Sequence, residues 1–189
     1  MKKIILLLLL LVPFSVKGIT KESVEFFRCV DGDTARFIKD KKEIKVRFLG
    51  IDSPEIEKPN QEAEPYGDSA KNYTCNRLKR ANKIQLEYEP ASDKVDKYDR
   101  VLAYVFVDDK LLEESIVKNG YAEVKYLKKD YKYYDELIDA ENYAKDKKKG
   151  IYSEGSSEIS NEDLTKNFKK IIFKYVKKVF SNILREILN

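Results

Sequence analysis

The sequence predicts an α+β fold built on short antiparallel strands, and three observations predict it. Five short stretches read as strands, some alternating apolar and polar residues with a period of two and others rich in Val and Phe, and most are bounded by Asp, Gly or Pro. A stretch with helical spacing separates the third of these from the fourth. Two more helical stretches follow the fifth. Five strands with a helix between the third and fourth match the order of an OB-fold, a small, partly open Greek-key barrel that commonly binds oligonucleotides across one face.

The 189 residues allow one domain with appendages. Residues 1–18 read as a secretory signal: Lys2 and Lys3, an apolar run from Ile4 to Val12, then Pro13 and small residues to Gly18. The run is too short to span a bilayer comfortably. Cleavage before Ile19 would leave a protein that is secreted or held in the periplasm or cell envelope. That compartment permits a disulfide between Cys29 and Cys75, the only cysteines. Two buried thiols acting as small hydrophobes are the other option.

The domain is expected over 19–154. Val24 to Val30 forms the first strand, and Asp31-Gly32-Asp33 a tight turn in which Gly32 is free to take positive φ. Thr34 to Lys39 returns as the second strand, Asp40-Lys41-Lys42 turns again, and Glu43 to Ile51 is the third. Glu57 to Pro65 holds two prolines and no periodicity, the mark of an exposed loop. Tyr66 to Ala81 places Ala70, Tyr73, Thr74, Arg77 and Leu78 on one helical face. Ile84 to Tyr88 is the fourth strand and Val101 to Val107 the fifth, with a charged loop, Pro90 to Asp99, between them. Leu111 to Asn119 fits a helix closed by Gly120, and Asp130 to Lys148 a longer one ended by Gly150.

Charge divides unevenly along the chain. Of the net +4, residues 1–18 carry +3 and residues 155–189 another +3, which leaves −2 for the domain. A domain of that sign would hold a polyanion through local cations or a metal rather than through bulk charge. The chain has no His, which removes His-based general catalysis and most zinc sites. Any metal should be hard and oxygen-bound.

The densest chemistry lies in Arg47-Phe48-Leu49-Gly50-Ile51-Asp52-Ser53-Pro54-Glu55. A strand runs into a proline corner, so Arg47, Asp52 and Glu55 ride on stiff backbone. Asp33 ends the first turn and Asp52 the third strand. If those turns share one end of the barrel, the two carboxylates can share a cation with a backbone carbonyl such as that of Ser53, and with water. So few protein ligands predict weak calcium binding, of roughly 10⁻⁴–10⁻³ M. Arg100 opens the fifth strand and could reach the same end, so that two guanidiniums grip one phosphodiester. Glu55 could accept a proton from an attacking water or orient that water. The bland readings are a turn-forming Asp33 and surface ion pairs of little worth at the two arginines.

Four segments, taken together, resemble the staphylococcal nuclease-like family, the thermonucleases. They are Val30-Asp31-Gly32-Asp33-Thr34, the Arg47–Glu55 stretch, Asp96-Lys97-Tyr98-Asp99-Arg100 followed by Leu102-Ala103-Tyr104, and Gly150-Ile151-Tyr152-Ser153-Glu154. They occur in the family's order, across most of the chain from Val24 to Glu154. The resemblance implies an OB-fold nuclease that hydrolyses DNA and RNA with Ca²⁺ and leaves 3′-phosphates. It implies phosphate binding and transition-state stabilisation by Arg47 and Arg100, a general-base position at Glu55, and calcium positions at Asp33, Asp52 and the Ser53 carbonyl. It puts Lys97, Tyr98 and Tyr126 at the substrate.

The chain departs from the family at three of these positions. Asp99 stands where the family usually has Gly, and Ser53 where Thr is more familiar. Lys128 replaces the second of two nucleotide-pocket tyrosines, so the base-stacking half of that pocket does not carry over whole. The loop between Pro59 and Pro65 carries Glu62 and Glu64 beside the expected substrate. That motivates slower turnover or a preference for short substrates.

Residues 155–189 read as a Ser/Glu-rich linker and a basic amphipathic helix. The helix, over 162–188, is open to packing on its own domain or self-association, to membrane-surface binding, or to nucleic-acid contact through Lys169, Lys170, Lys177 and Lys178. Two readings rival a nuclease. One is a non-catalytic OB-fold module that binds nucleic acid or protein. The other is a surface protein whose active part is the tail.

Overall fold

A computed structural model of the protein describes residues 21–59 and 61–153. The leader expected over 1–18 and the linker and helix expected over 155–189 lie outside the described residues.

The chain enters through β1 (Glu22–Ser23) and, after Val24, β2 (Glu25–Cys29). β3 (Thr34–Lys39) and β4 (Lys42–Phe48) complete an antiparallel meander, with β3 and β4 paired from Thr34↔Arg47 to Lys39↔Lys42. Asp40 and Lys41 both take left-handed backbone, φ 49° and 64°, which matches a two-residue turn to the twist of the strands it joins. Gly32 is not such a residue. Its smallness answers crowding instead: a Cβ there would stand 2.7 Å from the Ser53 side chain and 2.8 Å from that of Ala70.

The third strand, expected to run on to Ile51, breaks at Gly50, where φ is 77°. The chain leaves the sheet there, and β5 (Ile51–Asp52) pairs with the distant β9 (Glu123–Val124). Then come α1 (Gly67–Lys79), β6 (Ile84–Glu87), β7 (Val101–Val107), β8 (Lys110–Leu111), α2 (Leu112–Lys118) and, after β9, α3 (Tyr134–Asp146). Gly120 ends α2 with φ 71°, as expected.

The strand order is β1-β6-β7-β4-β3-β2. Both ends of that path belong to the same N-terminal strand, joined through Val24, whose N–H donates to the Ile84 carbonyl at 3.1 Å. The sheet thus returns on itself as an OB-fold barrel with helices packed against it. Phe37, Phe48, Leu86, Tyr104, Leu112, Ile116 and Leu137 fill the interior and are fully buried. Cys29 and Cys75 are joined as a disulfide, tying β2 to α1. The Thr74 hydroxyl donates to the Gly32 carbonyl at 2.6 Å and docks α1 on the first turn.

One pairing sets the stage for the site. β4 and β7 run parallel, with Val46↔Val101, Arg47↔Leu102 and Phe48↔Ala103 as partners. A parallel pair needs a long crossover, here the segment containing α1 and β6. The start of β7, and Arg100 before it, therefore arrive beside the end of β4 that carries Arg47.

Candidate active site

At this rim opens a cavity of about 910 Å³. Asp33, Arg47, Asp52, Ser53, Glu55, Lys97, Tyr98, Arg100 and Tyr126 all line it. Every site residue expected from the sequence is thus brought to one hollow.

Arg47 is its buried centre. One terminal nitrogen, Nη1, donates to the Ile51 carbonyl at 2.8 Å and the Phe48 carbonyl at 3.2 Å, and lies 3.1 Å from Asp33 Oδ1. Nη2 donates to Asp52 Oδ1 at 2.6 Å. The turn at Gly50 places both β4 and β5 within reach of one guanidinium. A guanidinium has five donors, so these bonds do not exhaust it.

Asp33 is almost fully buried. Its Oδ2 accepts from the Ser53 N–H at 2.6 Å and the Ser53 hydroxyl at 3.0 Å, and its Oδ1 from the Thr34 hydroxyl at 3.0 Å. Burial pushes its pKa up to about 6, against the pull of Arg47 and with a further push from Asp31. Charge is expensive at this position, and a cation beside it would relieve the cost.

Glu55 is held on three sides. Its carboxylate pairs with Lys58. Its N–H donates to Glu64 Oε2 at 2.9 Å, and its carbonyl accepts from the Glu64 N–H at 2.9 Å. Glu64, one of the two acids that make this loop acidic, turns its carboxylate to the backbone that carries Glu55. The loop it belongs to is largely exposed, as expected, yet the exchange of backbone bonds between Lys58 and Gln61 shapes it.

Arg100 is aimed by Asp96. Asp96 Oδ2 accepts from Arg100 Nε at 2.7 Å and lies 2.6 Å from Nη2, while its Oδ1 accepts the N–H groups of Tyr98 and Arg100. Burial would raise the Asp96 pKa, but the bonds from Arg100 and Tyr98 outweigh it and hold the carboxyl below the usual range. Asp99 takes the left-handed backbone, φ 58°, that suits the family's glycine. Tyr98 and Tyr126 are both exposed, and the Tyr98 ring lies 5.3 Å from the Arg100 guanidinium carbon.

The expected site left out Lys58 and Lys125, gave Asp96 no role beyond its place in a motif, and put Glu64 only in a loop beside the substrate. Lys58 and Asp96 carried a local signal, standing three residues after Glu55 and four before Arg100. Lys125 carried none. Its Nζ lies 2.8 Å from Asp52 Oδ2 and 3.1 Å from Glu123 Oε1, and it gets there because β9 pairs with β5.

The oxygen donors around Asp33 and Asp52 fit a hard divalent cation. Among the described residues no three His, Cys, Asp or Glu side chains cluster as a metal cage. The protein would contribute two carboxylates and a carbonyl, and water the remaining ligands.

Residues 45–154 match the family model described as staphylococcal nuclease homologue. The chain is 35% identical over 144 residues to a thermonuclease of Staphylococcus hyicus, which covers 75% of this chain and 83% of that one. A thermonuclease of Staphylococcus intermedius is 36% identical over 142 residues, 74% of this chain and 83% of that one. Endonuclease YncB of Bacillus subtilis is 40% identical over 132 residues, 69% of this chain and 62% of that one. Matches of that extent, on a barrel whose rim gathers two arginines and three acids, place the chain in the staphylococcal nuclease family as a phosphodiester-hydrolysing nuclease.

Proposed function

We propose that the protein is an exported, Ca²⁺-dependent nuclease that cleaves both DNA and RNA and leaves 3′-phosphates. The observation that carries this reading is the shared cavity, lined by Arg47 and Arg100 together with Asp33, Asp52 and Glu55 from separate segments of the chain. A bound calcium ion would supply Lewis-acid charge to a phosphate oxygen. Asp33, Asp52 and the Ser53 carbonyl are the residues to hold it.

The rest of the chemistry belongs to side chains. Arg47 and Arg100 donate to the non-bridging oxygens of the scissile phosphate. As the phosphorus gains its fifth bond those oxygens gain charge, so the donors bind the transition state better than the substrate. Glu55 takes the proton of the attacking water or turns that water in line. In the free protein Lys58 pairs with Glu55, so Lys58 must move aside as substrate arrives. Tyr98 and Tyr126 offer exposed rings to bases, and Lys97 offers charge to a neighbouring phosphate.

The test is digestion of plasmid DNA and of RNA with Ca²⁺, with chelator, and with the Glu55→Gln variant, followed by analysis of the product ends. The expected result is cleavage of both polymers, its loss with chelator, a large drop in the variant, and 3′-phosphate ends. Binding of oligonucleotides without cleavage would favour a non-catalytic OB-fold module. Export is a separate part of the proposal, tested by detecting the mature protein outside the cytoplasm. What the helix expected over 162–188 does is tested by the liposome binding, oligomeric state and activity of a chain truncated after Glu154.

A further inference from the structure

Both oxygens of Asp52 already face protein cations: Oδ1 accepts from Arg47 Nη2 at 2.6 Å, and Oδ2 lies 2.8 Å from Lys125 Nζ. Arg47 is buried and fixed by two carbonyls, whereas the Lys125 side chain is 42% exposed and Asp52 31%. Lys125 is therefore the partner that can leave. Its backbone cannot: the Lys125 N–H donates to the Gly50 carbonyl at 3.0 Å, at the end of the β5–β9 pairing. Glu123 Oε1, 3.1 Å from the same ammonium, offers a second carboxylate to which Lys125 can retire.

We propose that Lys125 is a built-in competitor for the divalent cation at Asp52 and sets how weakly the protein holds calcium. An ammonium within bonding distance of a ligand oxygen opposes a divalent ion twice. It occupies the oxygen and it repels the charge. Loading the site then requires Lys125 to swing from Asp52 towards Glu123 or solvent. This inference rests on the calcium positions proposed above. It adds that the affinity of this chain is held down by a residue outside the ligand set.

Calcium chloride titrations followed by calorimetry and by melting temperature, without substrate, test it on the wild type and on Lys125→Met, Lys125→Gln, Lys125→Arg and Asp52→Asn. Met and Gln keep the backbone pairing and remove the charge. They are expected to bind calcium about threefold to tenfold tighter, a modest effect because the lysine is partly solvated. Lys125→Arg should bind no tighter than wild type, and Asp52→Asn should bind far more weakly. Wild-type binding with unchanged or weaker binding in both neutral variants would overturn the inference and leave the calcium site standing. No calcium binding by the wild type or by either neutral variant would overturn the site and the inference together. Binding by the neutral variants alone would support both.

Discussion

Arg47 and Arg100 bring the same charge to the cavity on different footings. Arg47 is buried with Asp33, so Arg47→Ala would strand that acid in the interior and should cost about 3 kcal/mol of stability. Arg100 is partly exposed and bound to Asp96, so Arg100→Ala should cost less than about 1 kcal/mol. Both changes should lower kcat by about 10²–10³ through loss of a transition-state donor. Urea denaturation beside steady-state kinetics separates the two outcomes. At this scale the sequence was legible where chemistry is local. The Arg47–Glu55 stretch announces its charges and its rigid corner within nine positions. It was illegible where a long side chain chooses its partner after folding, as Lys125 does with Asp52 and Glu64 with the Glu55 backbone.

The start of α1 presses on the loop that carries Glu55. A Cβ on Gly67 would stand 2.2 Å from the Glu55 carbonyl oxygen, so Gly67→Ala must push helix and loop apart. Displacement of a catalytic group by about 1 Å can cost about 10²-fold in rate, so kcat should fall on that order, and the melting temperature should fall with it because the clash is with backbone and overpacking costs about 1–3 kcal/mol. α2 makes a prediction about pH. Glu113 in its first turn is completely buried and accepts the Val105 N–H at 2.9 Å. Burial raises its pKa well above the ordinary value, against the pull of its backbone hydrogen bonds. A carboxyl raised in the folded state adds stability that is complete below its unfolded pKa and is lost as pH rises through the folded one. Glu113→Gln should therefore match the wild type in acid and exceed it in urea midpoint as pH rises. Among the strands, β3 and β7 were legible to the residue, because β3 lies between two tight turns and β7 is an apolar run stopped by Asp108-Asp109. The two-residue strands β1, β5 and β9 were not. They exist only through partners far along the chain, and no period can be read from two residues.

Across the whole molecule, Cys29 and Cys75 close a loop spanning 46 positions and fasten β2 to α1. In the chain-entropy view a loop of that length is worth about 4 kcal/mol, so thermal melting with and without reductant should differ markedly. A double Cys29→Ser, Cys75→Ser variant should melt like the reduced protein. The barrel order was legible because hairpins and the intervening helix leave few topologies open. That Arg100 reaches the rim follows from that order. How the cavity is lined also depends on the break at Gly50, where the sequence ran one strand through two. The parallel β4–β7 pairing has a consequence for the life of the chain. Arg47 is synthesised long before Arg100, and nothing brings the two together until the last barrel strand has slotted in. A nascent polypeptide therefore carries the parts of a nuclease without the assembled centre until β7 has been made and has paired with β4.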